Sequence, residues 1–172
     1  MDTEAREKDD LSQHPNIRAV QDALDNAGAR DASGAPCQVR VLDEEVPTAA
    51  AAAAALGVDV GQIVKSLIFE VDGEPLLVLT SGAHQVNTDR VAMTLGVPRV
   101  RRATLPFVRE HTGQPIGGVA PLGHPKPIRT LVDIALAAYD EIWAAGGVPR
   151  AVFSTTYQEL LRITGGTPTE VE

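Results

Sequence analysis

Apolar positions recur at a helical spacing in the segment between His14 and Arg30. Ile17, Val20 and Leu24 lie three and four residues apart, which places their side chains on one face of a helix. Gly28 follows the last of them and is a typical helix-ending residue. The pattern therefore predicts an amphipathic helix that covers one side of a core.

Shorter patterns continue along the rest of the chain. They predict helices over residues 47–57, 87–95, 104–111 and 157–164, and strands over residues 37–42, 62–71, 74–80, 128–137 and 142–145, with a short basic strand from Val100. Asp72-Gly73 separates two of the strands and is a strong signal for a tight hairpin turn. Helices and strands are interspersed without a regular βαβ period, so an α+β domain with a mixed or antiparallel sheet is expected.

Length and charge divide the chain into two parts. A chain of 172 residues fits one domain with a sizeable core. Residues 1–13 are rich in charge and poor in large apolar side chains, which predicts a disordered acidic tail before a domain over residues 14–172. The tail is too acidic for a transit peptide, and no segment resembles a signal sequence or reaches membrane-spanning length, so a cytoplasmic location is expected.

Lys65 interrupts an apolar run. Strand alternation places it on the same face as Ile63, Leu67 and Phe69, and places Ser66 on the opposite face. The other basic residues are mostly arginine, and a lysine presents a compact charge that suits one small anionic or carbonyl group. A lysine at a strand end, with its stem over apolar surface and its ammonium in water, fits the same pattern.

The distribution of charge bears on nucleic-acid binding. A net charge of -8 argues against a general nucleic-acid coat protein. Arg99, Arg101 and Arg102 nevertheless belong to a group of arginines concentrated within twenty residues. They form either a local contact for phosphates or an ordinary solvated face.

A second candidate feature is the loop that begins at Gly117-Gly118 and passes through Pro121. Paired glycines let the backbone approach a ligand closely and expose its N–H groups, while Pro121 fixes the direction of exit. Such a loop can bind a carbonyl or an oxyanion. It lacks the Gly-Lys-Ser/Thr ending of a phosphate-binding P-loop and the glycine spacing of a dinucleotide fold.

Side chains for metal binding or nucleophilic catalysis are scarce. The histidines are dispersed without the close pairing typical of zinc sites: His14, His84, His111 and His124. Cys37 is the single cysteine, and its pattern is that of a small buried hydrophobe. No G-x-S-x-G motif occurs. We therefore expect neither a metal nor an organic cofactor.

Taken together in chain order, three segments resemble the YbaK/EbsC family. They are Val64-Lys65-Ser66-Leu67-Ile68-Phe69, Val78-Leu79-Thr80 and Ile116-Gly117-Gly118-Val119-Ala120-Pro121-Leu122-Gly123. The resemblance covers about residues 15–165, and that family includes free-standing and prolyl-tRNA-synthetase-linked editing domains. It implies a single compact α+β domain with a curved, barrel-like mixed sheet and flanking helices, and a pocket between the Lys65 strand and the Gly117 loop.

The resemblance also implies roles for individual residues. The lysine and the glycine of a G-x-x-x-P motif, here Lys65 and Gly117, are the functional positions of the family. We therefore assign Lys65, Gly117 and Gly118 to catalysis. Substrate-binding positions are assigned to Thr48, Ser66, Pro121, His84, Ala145 and Gly146, and tRNA binding to Arg99, Arg101 and Arg102.

One segment departs from the family pattern. In the branch that clears cysteine from proline tRNA, this segment reads Ser-Gly-Gly-Lys-Arg-Gly-x-Asp, whereas here it runs from Ala145 to Val152. Ala145 and Val152 occupy the positions of that serine and aspartate. The departure weakens the expectation of cysteine specificity, although Lys65 and Gly117 are retained.

The expected function is hydrolysis of the ester that joins a wrongly attached small amino acid to tRNA, for example on proline tRNA. The partners implied are an aminoacyl-tRNA and, as a further candidate, an aminoacyl-tRNA synthetase, without DNA or a membrane, in a monomer or a homodimer. Two alternatives stay open. One is a non-catalytic tRNA- or synthetase-binding module of the same fold, and the other is a small-molecule esterase that uses the same pocket.

Overall fold

Helices and strands are interspersed along the chain, as the sequence predicts. The structure is a computed structural model that describes Thr3 and residues 10–172. Its α-helices over the described residues are α1 (Pro15–Ala27), α2 (Ala49–Leu56), α3 (Thr88–Leu95), α4 (Leu105–Thr112) and α5 (Tyr157–Thr164). Two short 3-10 helices span Val60–Gln62 and Ile134–Ala138.

The strands form one sheet over the same part of the chain. They are β1 (Arg40–Val41), β2 (Ile63–Val71), β3 (Glu74–Ser81), β4 (Arg101–Arg102), β5 (Arg129–Asp133), β6 (Ile142–Ala145), β7 (Ala151–Thr155) and β8 (Thr167–Thr169). The strand order is β1-β7-β6-β2-β3-β5-β8, and β4 also pairs with β2. β2 runs antiparallel to β3 and β4 but parallel to β6. The predicted α+β fold with a mixed sheet is therefore confirmed.

The two long central strands bury both of their faces. Val64 and Ile68 of β2 pack into the main core with α1 and α5, whereas Phe69 packs into a second core with α3. Leu67 lies against this second core, on the same face as Phe69. Because side chains alternate along a strand, Lys65 falls on the face of Leu67 and Phe69, as predicted.

Local signals fixed most helix starts. The side chains of Thr48, Asn87, Thr104 and Thr156 each accept a hydrogen bond from a backbone N–H in the first turn of the helix that follows. Such N-caps satisfy donors that have no partner within the helix. The helices predicted from these residues are confirmed.

Two predicted strands are shorter in the structure, and each has a local cause. In the predicted strand over residues 37–42, the N–H of Cys37 donates to Ala29 O and the N–H of Val39 donates to the Gln21 side chain. Strand pairing in this segment is therefore confined to Arg40–Val41, which is β1. The prediction of a strand over 128–137 is wrong beyond Asp133. There the Asp133 side chain accepts from the N–H of Ala135 and starts a 3-10 helix.

The strands β7 and β8 were not predicted. β7 is buried between β1 and β6, and it follows directly on the turn after Ala145. β8 has only three residues and contains Pro168, so its sequence carries little strand signal. Pairing with distant strands, rather than local pattern, determines both.

The predicted tail over residues 1–13 lies mostly outside the described residues. Residues 10–12 are helical, and Leu11 packs beside Ile17 and Val148, so this part of the predicted tail belongs to the folded domain. Among the helices that the structure describes, none is long and apolar enough to cross a membrane.

Candidate active site

A cavity of ≈ 370 Å³ opens along one edge of β2. β6 pairs with this edge only at Ile63 and Val64, and β4 pairs with it only at Phe69 and Glu70. The residues of β2 between these pairings line the cavity together with the loop before α2, the Gly117 loop and parts of β6 and β7. The cavity therefore lies at a gap in the sheet, and its size is at the low end for small-ligand sites.

Lys65 lines this cavity and is held by a backbone carbonyl. Its Nζ donates to His84 O at 2.6 Å. Burial lowers the pKa of the Lys65 ammonium, and the nearby Arg102 charge lowers it further, while Glu172 and Asp133 act in the opposite direction. The residue is a half-buried cation next to a second cation, which is an arrangement suited to an anionic or strongly polar ligand.

A buried carboxylate fixes the turn that holds Lys65. Asp133 is 1% exposed, and its Oδ2 accepts from Thr80 Oγ1 at 3.2 Å and from Ser81 N at 3.0 Å. The same oxygen contacts His84 Nδ1 at 2.9 Å, while Oδ1 accepts from Ala135 N at 2.9 Å. The network anchors His84, and therefore the carbonyl to which Lys65 donates, at the ends of β3 and β5.

Ser66 lies on the opposite face of β2 from Lys65, as predicted. Its neighbours along the strand on that face, Val64 and Ile68, belong to the main core. The residue also lines the cavity but, among the described residues, Ser66 Oγ is buried without a hydrogen-bond partner. An unmatched buried hydroxyl costs about 1–3 kcal/mol, so its retention calls for an explanation.

Gly117 lies across the cavity from β2 in a backbone conformation that requires glycine. Its φ is 87°, and a Cβ on it would lie 3.1 Å from Pro47 O and 3.2 Å from Pro47 Cα. Within the described chain its N–H has no hydrogen-bond acceptor. Gly117 therefore lines the cavity with a backbone N–H that has no acceptor within the described residues.

Gly118 corrects part of the prediction. Its N–H already donates to Pro115 O at 3.0 Å, so the expectation that both glycines offer free donors is wrong. A Cβ on Gly118 would lie 2.7 Å from the backbone of Val148, so this glycine allows close packing of two loops. Pro121 is buried outside the cavity wall, so the structure does not place it in contact with a ligand there.

The segment that departs from the family pattern forms an apolar wall. Ala145 and Val152 are direct partners in the β6–β7 register, and both line the cavity beside Trp143. Gly146 does not line it: the Gly146 N–H donates to Ala151 O in the turn that follows β6. Of the two positions assigned to substrate binding in this segment, the structure therefore brings Ala145 to the cavity.

Two other assigned residues play structural roles as well. Thr48 lines the cavity, but its Oγ1 accepts from Ala51 N as the cap of α2. The side chain of His84 is absent from the cavity wall, and this residue reaches the site through its carbonyl contact with Lys65.

The basic cluster divides into two parts. Arg102 lines the cavity near Lys65. Arg99 and Arg101 instead border a separate depression that also contains Glu70 and Asp72. The division has a simple cause, because successive residues of a strand point to opposite faces.

Asp133 was not among the predicted site residues. Its sequence signal is an acidic residue that directly ends an apolar strand, and the neighbouring strand ends in the polar pair Thr80 and Ser81. Register aligns Lys65 with Thr80, and Leu79 with Val132 on β5. Lys65, Thr80 and Asp133 thus form one polar row across three strands, and only the sheet pairing reveals it.

Within residues 10–172, no three His, Cys, Asp or Glu side chains cluster closely enough to hold a metal ion.

The fold, the cavity at the sheet gap and the lysine–glycine pair define an editing-domain architecture. Residues 43–163 match the family model described as the aminoacyl-tRNA editing domain, and the chain belongs to that family.

Relatives of known structure and sequence agree with this membership. The chain superimposes with a TM-score of 0.85 on the crystal structure of a proposed trans-editing enzyme for prolyl tRNA synthetase, at 41% identity over 94% of this chain and 99% of that one. It is 32% identical over 128 residues to the proline–tRNA ligase of Nitratidesulfovibrio vulgaris, which is 70% of this chain and 22% of the ligase. The match to the proline–tRNA ligase of Delftia acidovorans is 32% over 142 residues, or 76% of this chain and 24% of the ligase. The chain thus spans less than a quarter of the length of these ligases.

Proposed function

We propose that this protein is a trans-acting deacylase that hydrolyses the ester between a wrongly attached small amino acid and the terminal ribose of a tRNA, with proline tRNA as the first candidate. The observation that carries the proposal is that Lys65 and Gly117 line one cavity. The similarity to a proposed trans-editing enzyme and to proline–tRNA ligases supports the choice of substrate. Since such substrates arise during translation, we expect the protein in the cytoplasm.

The reaction requires positioning and charge stabilisation more than a strong nucleophile. The oxygen of a water attacks the acyl carbon, and the carbonyl oxygen becomes an oxyanion that the Gly117 N–H stabilises. The bond between the acyl carbon and the ribose oxygen then breaks, and that ribose oxygen takes a proton. The products are the free amino acid and a tRNA with a free terminal hydroxyl.

Lys65 and Arg102 bind the nucleotide end of the substrate in this mechanism. Their two positive charges at the cavity suit the phosphate next to the terminal ribose. Arg99 and Arg101 lie farther along and would meet phosphates of the acceptor stem, which position a tRNA without reading its sequence.

The proton path depends on the substrate in our proposal. The described residues that line the cavity include no Asp, Glu or His side chain. The neighbouring hydroxyl of the terminal ribose lies next to the ester oxygen and is the group best placed to pass the proton. An editing site of this kind adds discrimination to a synthetic site, which rejects a smaller amino acid by only about 1–3 kcal/mol per methylene.

A panel of mischarged tRNAs tests the proposal. Purified protein is expected to release the amino acid from at least one small-residue ester, above all on proline tRNA, and to leave correctly charged tRNA intact. Binding of the panel without any release would instead indicate a non-catalytic module, and hydrolysis of simple esters alone would indicate a small-molecule esterase.

A further inference from the structure

Ser66 presents a buried polar group that the chemistry of the ester does not use. Its Oγ has no partner within the described residues, although it lies beside the cavity. Buried hydroxyls are nearly always hydrogen-bonded, and those that are not call for an explanation, such as a bound water, an ion or a role in the site. Val64 and Ile68 flank it on the same face, so no neighbouring side chain of β2 can supply the missing bond.

The backbone of Ser66 faces the gap in the sheet between β6 and β4. Ile63 O accepts from the N–H of Gly82 on the β3 side, and the register of the two strands continues from there without interruption. In an antiparallel ladder, alternate residues direct their N–H and C=O to the same neighbour. Ser66 therefore directs both groups away from β3, as Ile68 does when its C=O accepts from the N–H of Ala103.

Among the described strands, none pairs with β2 at the edge position of Ser66. Pairing with β6 stops at Val64, and pairing with β4 starts at Phe69. The C=O and the N–H of Ser66 thus face an open stretch of sheet edge, and the Ser66 hydroxyl is buried beside it. Unpaired edges accept extended groups that complete the hydrogen bonds of the strand.

The charges on the cavity wall limit what can bind there. Among the described lining residues, side-chain oxygens occur only in Thr48 and Ser66, and Thr48 Oγ1 already caps α2. The charged side chains on the wall are the cations Lys65 and Arg102. An amino group that enters this cavity therefore meets no carboxylate among the described residues, and the acceptors that these residues offer to its N–H donors are neutral.

We propose that Ser66 recognises the α-amino group of the esterified amino acid, which donates to the Ser66 C=O at the open edge of β2 and, after rotation about the Ser66 Cα–Cβ bond, to Ser66 Oγ. This inference rests on the proposed deacylase function. It divides the substrate between two parts of the site: Gly117 binds the reacting carbonyl, and Ser66 distinguishes an aminoacyl ester from a simple acyl ester. The two cations nearby favour the neutral form of the amine.

Two esters that differ only in the amino group test the assignment. Alanyl and propionyl groups are attached to the same proline tRNA, and hydrolysis is measured with the wild type and with Ser66→Ala and Ser66→Thr. Ser66→Ala is expected to lower kcat/KM for the alanyl ester roughly 10-fold and to leave the propionyl ester unchanged, because only the alanyl ester loses a hydrogen bond. Ser66→Thr keeps a hydroxyl and is expected to retain discrimination.

A matched control separates recognition from packing. Ser154→Ala removes a half-buried strand hydroxyl outside the cavity, and it is expected to leave the alanyl-to-propionyl ratio as in the wild type. Equal losses on both esters with Ser66→Ala, or no loss on the alanyl ester, would overturn the assignment.

A binding measurement distinguishes failure of the deacylase proposal from failure of the Ser66 assignment. If the wild type hydrolyses neither ester, the deacylase proposal fails, and affinities are measured for adenosines that carry alanyl or propionyl through a stable 3′-amide. A roughly 10-fold preference for the alanyl amide that disappears in Ser66→Ala supports recognition by Ser66. Equal affinity of the wild type for the two amides contradicts it.

Discussion

The two long walls of the cavity use opposite chemistry. The wall formed by β2 presents Lys65 and the unpaired backbone edge at Ser66, whereas the wall formed by β6 and β7 presents Trp143, Ala145 and Val152. The β2 wall can bind charge and donate or accept hydrogen bonds, and the apolar wall can only exclude volume and water. We infer that the β2 wall, together with the Gly117 loop, conducts the reaction, and that the apolar wall selects the side chain of the amino acid.

The difference extends to what supports each wall. Behind Lys65 stands a network of buried polar groups centred on Asp133, which is 1% exposed. Trp143 and Val152 of the apolar wall pack in one hydrophobic cluster with Val46, Ala52 and Ile63, which also line the cavity. A polar wall must be held by satisfied hydrogen bonds, since unmatched groups are costly, while an apolar wall is held by packing alone.

Removing the charge from the β2 wall should have the largest effect. Lys65→Ala is expected to lower kcat/KM on the best substrate by roughly 100-fold, because it removes a charge-assisted contact to the nucleotide. Lys65→Arg is not expected to restore activity. A planar guanidinium is larger than an ammonium, so it does not fit the half-buried position that Lys65 Nζ occupies next to His84 O. Rates of amino-acid release from mischarged tRNA measure both variants.

Lys126→Ala is the matched control for this change, because Lys126 lies exposed in the loop before β5. Its activity should equal that of the wild type. Wild-type turnover by Lys65→Ala would show that the lysine is only a surface residue.

A substitution that displaces the Gly117 N–H, across the cavity from β2, should have the next largest effect on activity. Gly117→Ala places a methyl group against Pro47 at a φ of 87°, and the resulting shift of the N–H is expected to lower kcat by roughly 10- to 100-fold with a smaller change in KM. Single-turnover kinetics separates the two parameters. Gly34→Ala is a suitable control, because it imposes a φ of 85° with nothing within 4 Å of the new methyl. A pure loss of affinity in Gly117→Ala would indicate a packing role.

A polar group on the apolar wall should change selectivity rather than rate. Ala145→Ser adds a hydroxyl beside the amino-acid side chain, and we expect it to raise hydrolysis of seryl relative to alanyl tRNA by roughly 3- to 10-fold. Competition between the two esters gives the ratio directly. Ala137→Ser makes the same change at an exposed site and should leave the ratio as it was. An unchanged seryl-to-alanyl ratio in Ala145→Ser would show that the wall containing Ala145 does not select the amino-acid side chain.

The smallest expected effect is on the titration of Lys65 itself. Its pKa is lowered chiefly by burial and secondly by Arg102, so Arg102→Ala should raise it without restoring the ordinary value. NMR of ¹³Cε-labelled lysine can follow this, since the chain has three lysines and Lys65→Ala assigns the resonance. The pKa of Lys65 is lower in the folded protein than in the unfolded chain. The free energy of unfolding should therefore rise with pH between the folded pKa and the unfolded pKa of this lysine. A titration of Lys65 that is insensitive to Arg102→Ala would show that the two cations are not coupled.

Local sequence determined most of the elements and part of the site. The caps at Thr48, Asn87 and Thr104 and the Asp72-Gly73 turn are local devices, since each hydrogen bond or backbone preference involves residues a few positions apart. The alternation that set Lys65 against Ser66 is also local. The three-segment resemblance and the Gly117 motif were enough to predict a pocket between this strand and this loop.

Tertiary structure alone decided which polar groups are free and which are used. Gly117 and Gly118 look equivalent in sequence, but folding commits the Gly118 N–H to Pro115 and leaves that of Gly117 unpaired. Likewise, Asp133 joins Lys65 only because β3 lies between β2 and β5. The gap beside Ser66 exists because β6 and β4, which are distant in sequence, each stop short of it. These features depend on hydrogen-bond partners that are far apart along the chain, and a periodic pattern carries no information about such partners.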